Sequence, residues 1–209
     1  MIKDKNILKA VETYYSGKIK EYGVSAKGVD WNSETSQELR FDQLLKVVQS
    51  SNDFSLLDYG CGYGALLNYL KNKVSSFNYI GYDISEEMLL KANEQNAAKQ
   101  EIKWVNSLNE QTCDYSIASG IFNVMVDQKE EIWKHYVEDI LIDMNERSNK
   151  GFSFNMLTKY SDKEYMRDYL YYGDPAFYFD FCKTNFSKYV ALLHDYPLYE
   201  FTIIVKKEG

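Results

Sequence analysis

The sequence predicts a three-layer α/β fold: a mostly parallel sheet covered by helices, a C-terminal antiparallel hairpin, and an N-terminal helical appendage. Three observations predict it. From Phe54 onward, short apolar runs alternate with amphipathic stretches, the pattern of right-handed strand–helix–strand crossovers. The last two apolar runs are separated only by a short turn around Pro197, too little chain for a crossover, so they pair antiparallel. The first fifty residues carry helical and not strand-like periodicity.

The elements follow in order. Residues 5–22 form a first helix. A second begins near Ser33, with Glu34 in its opening turn, and sends Leu39, Phe41, Leu44, Leu45 and Val48 toward a core. An ordered loop with Gly23, Gly28 and residues 29–32 joins them. Residues 54–58 are a buried strand and 65–74 a helix, then 78–83 a second strand. Ser85 caps the next helix, with Glu86 and Glu87 in its first turn where negative charge suits the dipole, and the helix continues to about Lys99. Residues 102–105 and 115–119 are the third and fourth strands. Over 127–149, Ile132, Trp133, Tyr136, Val137, Ile140, Leu141 and Met144 recur at three-to-four spacing, which marks an amphipathic helix ended by Asn149-Lys150-Gly151. Residues 152–157 form the fifth strand. An aromatic stretch and a helix over 175–185 lead to the hairpin strands at 189–194 and 201–205.

Composition bounds the partners. The chain has 209 residues, enough for one well-buried domain, and its net charge of −7 with no basic stripe argues against a nucleic-acid phosphate backbone. No apolar run approaches the ~20 residues that cross a bilayer. The start lacks a secretory pattern, and Cys61, Cys113 and Cys182 are odd in number and far apart, so a cytoplasmic, reducing location is expected.

Glycines 60, 62 and 64 lie between a buried strand and a helix, a turn that lets a ligand approach main-chain N–H groups. With alanine at 65, the same residues satisfy the dinucleotide fingerprint, so the glycines alone do not separate a nicotinamide cofactor from S-adenosylmethionine. Asp58 decides between them. Two residues before the first glycine, its carboxylate repels a pyrophosphate by roughly 1 kcal/mol in water at ~4 Å, and attracts the ammonium of a methionine moiety instead.

The segment from Leu57 to Gly64 resembles the first motif of the class I S-adenosylmethionine-dependent methyltransferases. Asp83, at the end of the second strand, matches that family's acidic residue for the ribose hydroxyls. Ile84 and Met88 follow it along the cofactor, and Asn106-Ser107 occupies the adenine-contacting place, with asparagine where aspartate is common. Ser119, Gly120, Phe122 and Asn123 follow the fourth strand, where the family places cofactor-edge and active-site residues. The resemblance implies a seven-stranded Rossmann-like sheet with one antiparallel strand. It also implies S-adenosyl-L-methionine as cofactor and S-adenosyl-L-homocysteine as product. Residues 1–209 are then a single methyltransferase domain: a helical cap over 1–50, a cofactor-binding core over 51–157, and an acceptor-side segment with the hairpin over 158–209. Cys61, inside the motif, reads as a small filler and not a nucleophile.

Methyl transfer from a sulfonium is an in-line displacement, so the protein mainly aligns the reactants and excludes water, and a base is needed only if the acceptor must lose a proton. His194, ending a strand at the hairpin, is the candidate base; a structural histidine is the competing reading, and His135 faces solvent. Tyr14, Tyr15 and Trp31, and a second group of Tyr160, Tyr165, Tyr169, Tyr171 and Tyr172 with Arg167, are candidates for an acceptor pocket and lid. Ordinary packing of the N-terminal helix is the alternative. Arg40 is placed either on the methionine carboxylate or in a surface ion pair.

Pro175 and Pro197 are the only prolines, so the Asn/Asp-Pro-Pro-aromatic motif of amino-methylating nucleic-acid enzymes is missing. Glu138, Asp139 and Asp143 lack metal-ligand spacing, and no metal is expected. The expected acceptor is a small polar metabolite such as a sugar, an amino-acid derivative or a natural-product intermediate, with a homodimer allowed and no membrane partner. An NAD(P)-dependent oxidoreductase and a catalytically silent S-adenosylmethionine-binding protein are the alternatives.

Overall fold

The computed structural model describes residues 5–29, 33–50, 52–96, 101–126 and 128–207. Helices α1 (Lys5–Tyr22) and α2 (Glu34–Leu44) precede β1 (Phe54–Tyr59). Then come α3 (Ala65–Lys71), β2 (Phe77–Tyr82), α4 (Glu86–Gln95), β3 (Ile102–Val105), β4 (Cys113–Ala118), α5 (Glu130–Arg147) and β5 (Ser148–Leu157). The chain closes with α6 (Pro175–Asn185), β6 (Tyr189–Leu193) and β7 (Glu200–Lys206). Seven strands form one sheet in the order β3-β2-β1-β4-β5-β7-β6, with β7 antiparallel to both neighbours and every other pairing parallel.

Adjacent residues of β1 show why the sheet is covered on both faces. Leu56 packs with Phe41, Leu44, Leu67 and Leu70 of α2 and α3, while Leu57 packs with Trp133, Val137 and Leu141 of α5. A strand whose side chains alternate between two apolar layers reads as a continuous apolar run. The caps are local: Ser33 Oγ accepts from Ser36 N–H, Ser85 Oγ from Met88 N–H, and Asp174 from Ala176 N–H ahead of Pro175 at the first turn.

Several boundaries depart from the sequence reading. Helix α3 stops at Lys71 and α4 at Gln95, where Asn96 Nδ2 bonds back to the Ala92 carbonyl. Ile132, expected in the core, is 44% exposed near the start of α5. Asn149-Lys150-Gly151 does not cap α5; it lies inside β5, which begins directly at Ser148, whose Oγ donates to Met144 O and is hydrogen-bonded to Ser116 Oγ. Gly151 is there because a Cβ would run into the main chain of Val205 on β7. Its reason is close approach, not a helix stop.

After β1 the chain winds outward through β2 and β3, then returns to place β4 on the other side of β1. Loops at the C-terminal ends of β1 and β4 therefore diverge and leave a crevice, the usual ligand position in an open α/β sheet.

Candidate functional site

The crevice is built first by the turn after β1. Gly60, Gly62 and Gly64 hold φ of 80°, 53° and 85°, a left-handed region that side-chain-bearing residues rarely enter, and a Cβ on Gly60 would strike Ile121. The N–H groups of Gly60 and Cys61 both donate to Tyr82 O (2.8 and 2.9 Å), Gly62 N–H donates to Asp83 Oδ2 (2.8 Å), and Gly64 N–H to Cys61 O (3.0 Å). The expectation that these N–H groups cradle a ligand is thus corrected. The turn fastens β1 to β2 and offers shape, while the donors are spent internally.

Two carboxylates stand at this turn. Asp58, 3% exposed at the end of β1, accepts a hydrogen bond from the Tyr79 hydroxyl. Burial pushes its pKa up to about 7; the Tyr79 bond opposes the rise and the neighbouring Asp83 charge adds to it. Asp83 accepts from Gly62 N–H and Ser85 N–H, each at 2.8 Å, and burial raises it to about 6 against those two bonds. The Cys61 thiol between them is raised well above its ordinary value by burial and by both acids, so it is protonated and inert.

These groups line a first cavity of about 110 Å³ together with Ile84, Met88, Ser119 and Gly120. Helix α1 closes it with Leu8, Val11, Glu12 and Tyr15. Three carboxylates, Glu12, Asp58 and Asp83, line it, and no lysine or arginine does so among the described residues. Such a wall favours a cation and disfavours a pyrophosphate. Ser119 Oγ is buried without a partner among the described residues, a hydroxyl left for whatever fills the space.

A second cavity, of about 480 Å³, adjoins the first at Tyr15, Val29 and Gly120. Asn123, Ser161, Tyr165, Arg167, Tyr169, Tyr172 and Tyr199 line it, with a buried ion pair at its base. There Arg40 Nε and Nη2 donate to Glu200, Asn155 Nδ2 donates to Glu200 Oε2 (2.6 Å), and Asn155 Oδ1 accepts from Gly120 N–H (2.8 Å). This chain of bonds runs from α2 across β7 and β5 to the peptide at the seam between the cavities.

The structure gathers most of the cofactor-side residues and scatters several others. Asp58, Gly60, Cys61, Gly62, Asp83, Ile84, Met88, Ser119 and Gly120 share the first cavity; Gly64 stands beside it, capping α3 against the Trp104 ring. Asn106 and Ser107 are exposed and line neither cavity, and Asn106 Nδ2 bonds Glu86 at 3.4 Å. Arg40 belongs to the second cavity, where Nε and Nη2 are taken by Glu200, so its pair is buried and not on the surface. On the acceptor side, Tyr15, Asn123 and Arg167 line the second cavity. Phe122 is fully buried against Phe154, with its carbonyl taken by Trp133 Nε1, and Tyr171 is buried with its hydroxyl on Tyr178; both are core. Tyr14 packs on Tyr15 and Tyr169 without lining either cavity, and Tyr160 is 64% exposed beside His194. His194 itself is exposed after β6 and lines neither cavity, so it is no base for a reaction between them. Trp31 lies outside the described residues.

Sequence reasoning missed Glu12, Tyr79, Asn155 and Glu200. Glu200 and Asn155 sit in strands that read as ordinary apolar runs, and a polar residue interrupting such a run was the available signal.

Comparisons with known proteins agree with this geometry. A family model described as a methyltransferase domain matches residues 57–140, from β1 to the middle of α5. A relative from Mycobacterium tuberculosis named as a methyltransferase, Rv1506c, is 46% identical over 164 residues, spanning 78% of this chain and 99% of the relative. The chain belongs to the class I S-adenosylmethionine-dependent methyltransferases. The fold of this methyltransferase is shared with the magnesium protoporphyrin IX methyltransferase of Synechocystis PCC 6803, solved with bound SAM (TM-score 0.69, 15% identity, 99% of both chains). It is also shared with DhpI, solved as its SAH complex (TM-score 0.68, 11% identity, 99% of this chain and 100% of the other). The dinucleotide reading of the glycine turn is set aside by this membership.

Proposed function

We propose that this methyltransferase moves a methyl group in line from S-adenosylmethionine in the first cavity to a small polar acceptor in the second. The observation that carries the reading is the abutment of two cavities at Tyr15, Val29 and Gly120, one lined by three carboxylates and no lysine or arginine among the described residues, the other by Arg167 above the Arg40–Glu200 pair. S-adenosylmethionine, when bound, supplies a sulfonium-activated methyl group.

The residues fit such a donor. Asp83 would hold the ribose hydroxyls with the lone pairs its two backbone bonds leave over, Asp58 would face its positive end, and Met88 and Ile84 would give apolar contact. The buried Ser119 hydroxyl would gain the partner it lacks. At about 110 Å³ the cavity is smaller than the ~300 Å³ lower range of small-molecule pockets, and a swing of α1, which lines one side of it, would widen the way in. Its return excludes water.

The Glu200 carboxylate is saturated by Arg40 and Asn155, and no histidine lines either cavity among the described residues. Alignment and desolvation therefore carry the rate enhancement. We read residues 1–209 as one domain in which 1–50 caps the donor, 51–157 binds it and 158–209 forms the acceptor side. Three buried, unpaired cysteines support a reducing, cytoplasmic setting, and the net charge of −7 supports a small molecule over a nucleic acid. The test is calorimetric titration with S-adenosylmethionine, S-adenosylhomocysteine and NADH. The first two bind at one equivalent; stabilisation by NADH alone would sink the assignment.

A further inference from the structure

We infer that the acceptor is a ring-containing small molecule bearing an acidic group, and that Arg167 binds that group. The inference rests on the second cavity being the acceptor site.

A charge census of the lining leads to it. Arg40 and Glu200 neutralise each other at the base, their side chains 5% and 2% exposed. That leaves Arg167 as the single charged lining residue without an opposite charge among the described residues. Asp162, Glu164 and Asp168 share its segment, but none lines the cavity and none forms an ion pair with it among the described residues. In a chain carrying −7, whose neighbouring cavity is walled by three carboxylates, a cavity of net positive lining runs against the background.

The arginine is also held in place. Its Nη1 donates to the carbonyls of Glu164 (3.0 Å) and Met166 (2.8 Å), and its main-chain N–H donates to the Tyr172 hydroxyl (3.0 Å). Anchoring a guanidinium through one terminal nitrogen leaves the Nε–Nη2 edge, the fork that meets a carboxylate or phosphate with two parallel bonds. Fixing it beforehand removes part of the ordering cost of binding. Around it stand flat walls: Tyr165 and Tyr199 lie 5.8 Å apart, and Tyr169 packs toward Tyr14 at 6.5 Å. Tyrosine rings with Asn123 and Ser161 in the same lining suit a sugar or aromatic ring. Asn123 Oδ1 accepts from Leu157 N–H, which commits the amide and leaves its Nδ2 as a donor.

The experiment loads the protein with S-adenosylhomocysteine and measures, by ligand-observed NMR, two matched probe pairs: glucuronate against glucuronamide, and 4-hydroxybenzoate against 4-hydroxybenzamide. In at least one pair the acid binds about tenfold tighter than its amide. Arg167→Gln erases that preference by weakening the acid alone, with S-adenosylhomocysteine affinity unchanged. Equal affinities in the wild type, a preference that survives Arg167→Gln, loss of both pair members in that variant, or no probe binding at all would each overturn the inference. An acid displaced by S-adenosylhomocysteine would instead overturn the two-cavity reading beneath it.

Discussion

In the proposed reading Asp58 and Asp83 meet the methyl donor, and their protonation sets a pH signature. Both have pKa values raised in the fold, to about 7 and about 6, so between the ordinary carboxylate range and pH 7 the folded state holds more protons than the unfolded one. Stability of the ligand-free protein therefore falls as pH rises through that window, since unfolding then releases protons. A cationic donor prefers both groups ionised, so its affinity rises over the same window, and calorimetry in buffers of different ionisation heat reads the released protons. Tyr79→Phe removes the one bond that opposes the rise in Asp58. Its expected effect is to move the pH midpoint for donor binding upward. A uniform loss of affinity at every pH would show instead that Tyr79 only fills space. Asp83→Ala weakens the donor by ~1–3 kcal/mol if ribose hydroxyls lose their partner; unchanged affinity by titration would contradict the assignment.

At the scale of elements, α1 is the part whose movement the proposed donor entry uses. It docks through Ile7 and Val11 on the main core, through Ile19 against Tyr63 and Met88, and through Ser16 Oγ bonded to Ser85 Oγ at 2.8 Å. Ile19→Ala, at a position 3% exposed, weakens this docking, and the expected result is faster S-adenosylhomocysteine dissociation by roughly tenfold, or ~1.4 kcal/mol. Stopped-flow displacement checks it; a lower Tm with an unchanged dissociation rate would mean that α1 does not gate entry. Strand β5 gives a contrasting case. Gly151→Ala drives a methyl group into the β7 main chain at Val205 and should cost ~1–3 kcal/mol, read as a Tm lowered by several degrees with donor affinity kept.

Over the whole molecule, what was legible in the sequence follows from distance along the chain. The succession of strands and helices and the glycine turn were legible because each βα unit announces itself locally: Leu57 through Gly64 is a strand, a left-handed turn and a helix start within eight residues. The antiparallel hairpin was legible from the short connection at Pro197. The acceptor side was not, because its parts meet only in space. Arg40 and Glu200 are 160 residues apart, Asn155 and Glu200 45, and the polar residue that each strand carries does not by itself name its distant partner. Tyrosines 160, 169 and 171 looked equivalent in sequence, yet one is exposed, one lines the cavity and one is core, a division made by the bridges at Val124–Leu170 and Thr158–Gly173. Gly151 read as a helix stop because a helix end and a close strand approach both select glycine.

The account turns on which cavity holds the methyl donor. A crystal structure of the protein with S-adenosylhomocysteine tests it most directly. The expected density lies between Asp58, Asp83, Met88 and Ser119 beneath α1, with the second cavity left free beside Gly120. Density in the second cavity, against Arg167 and Glu200, would contradict it.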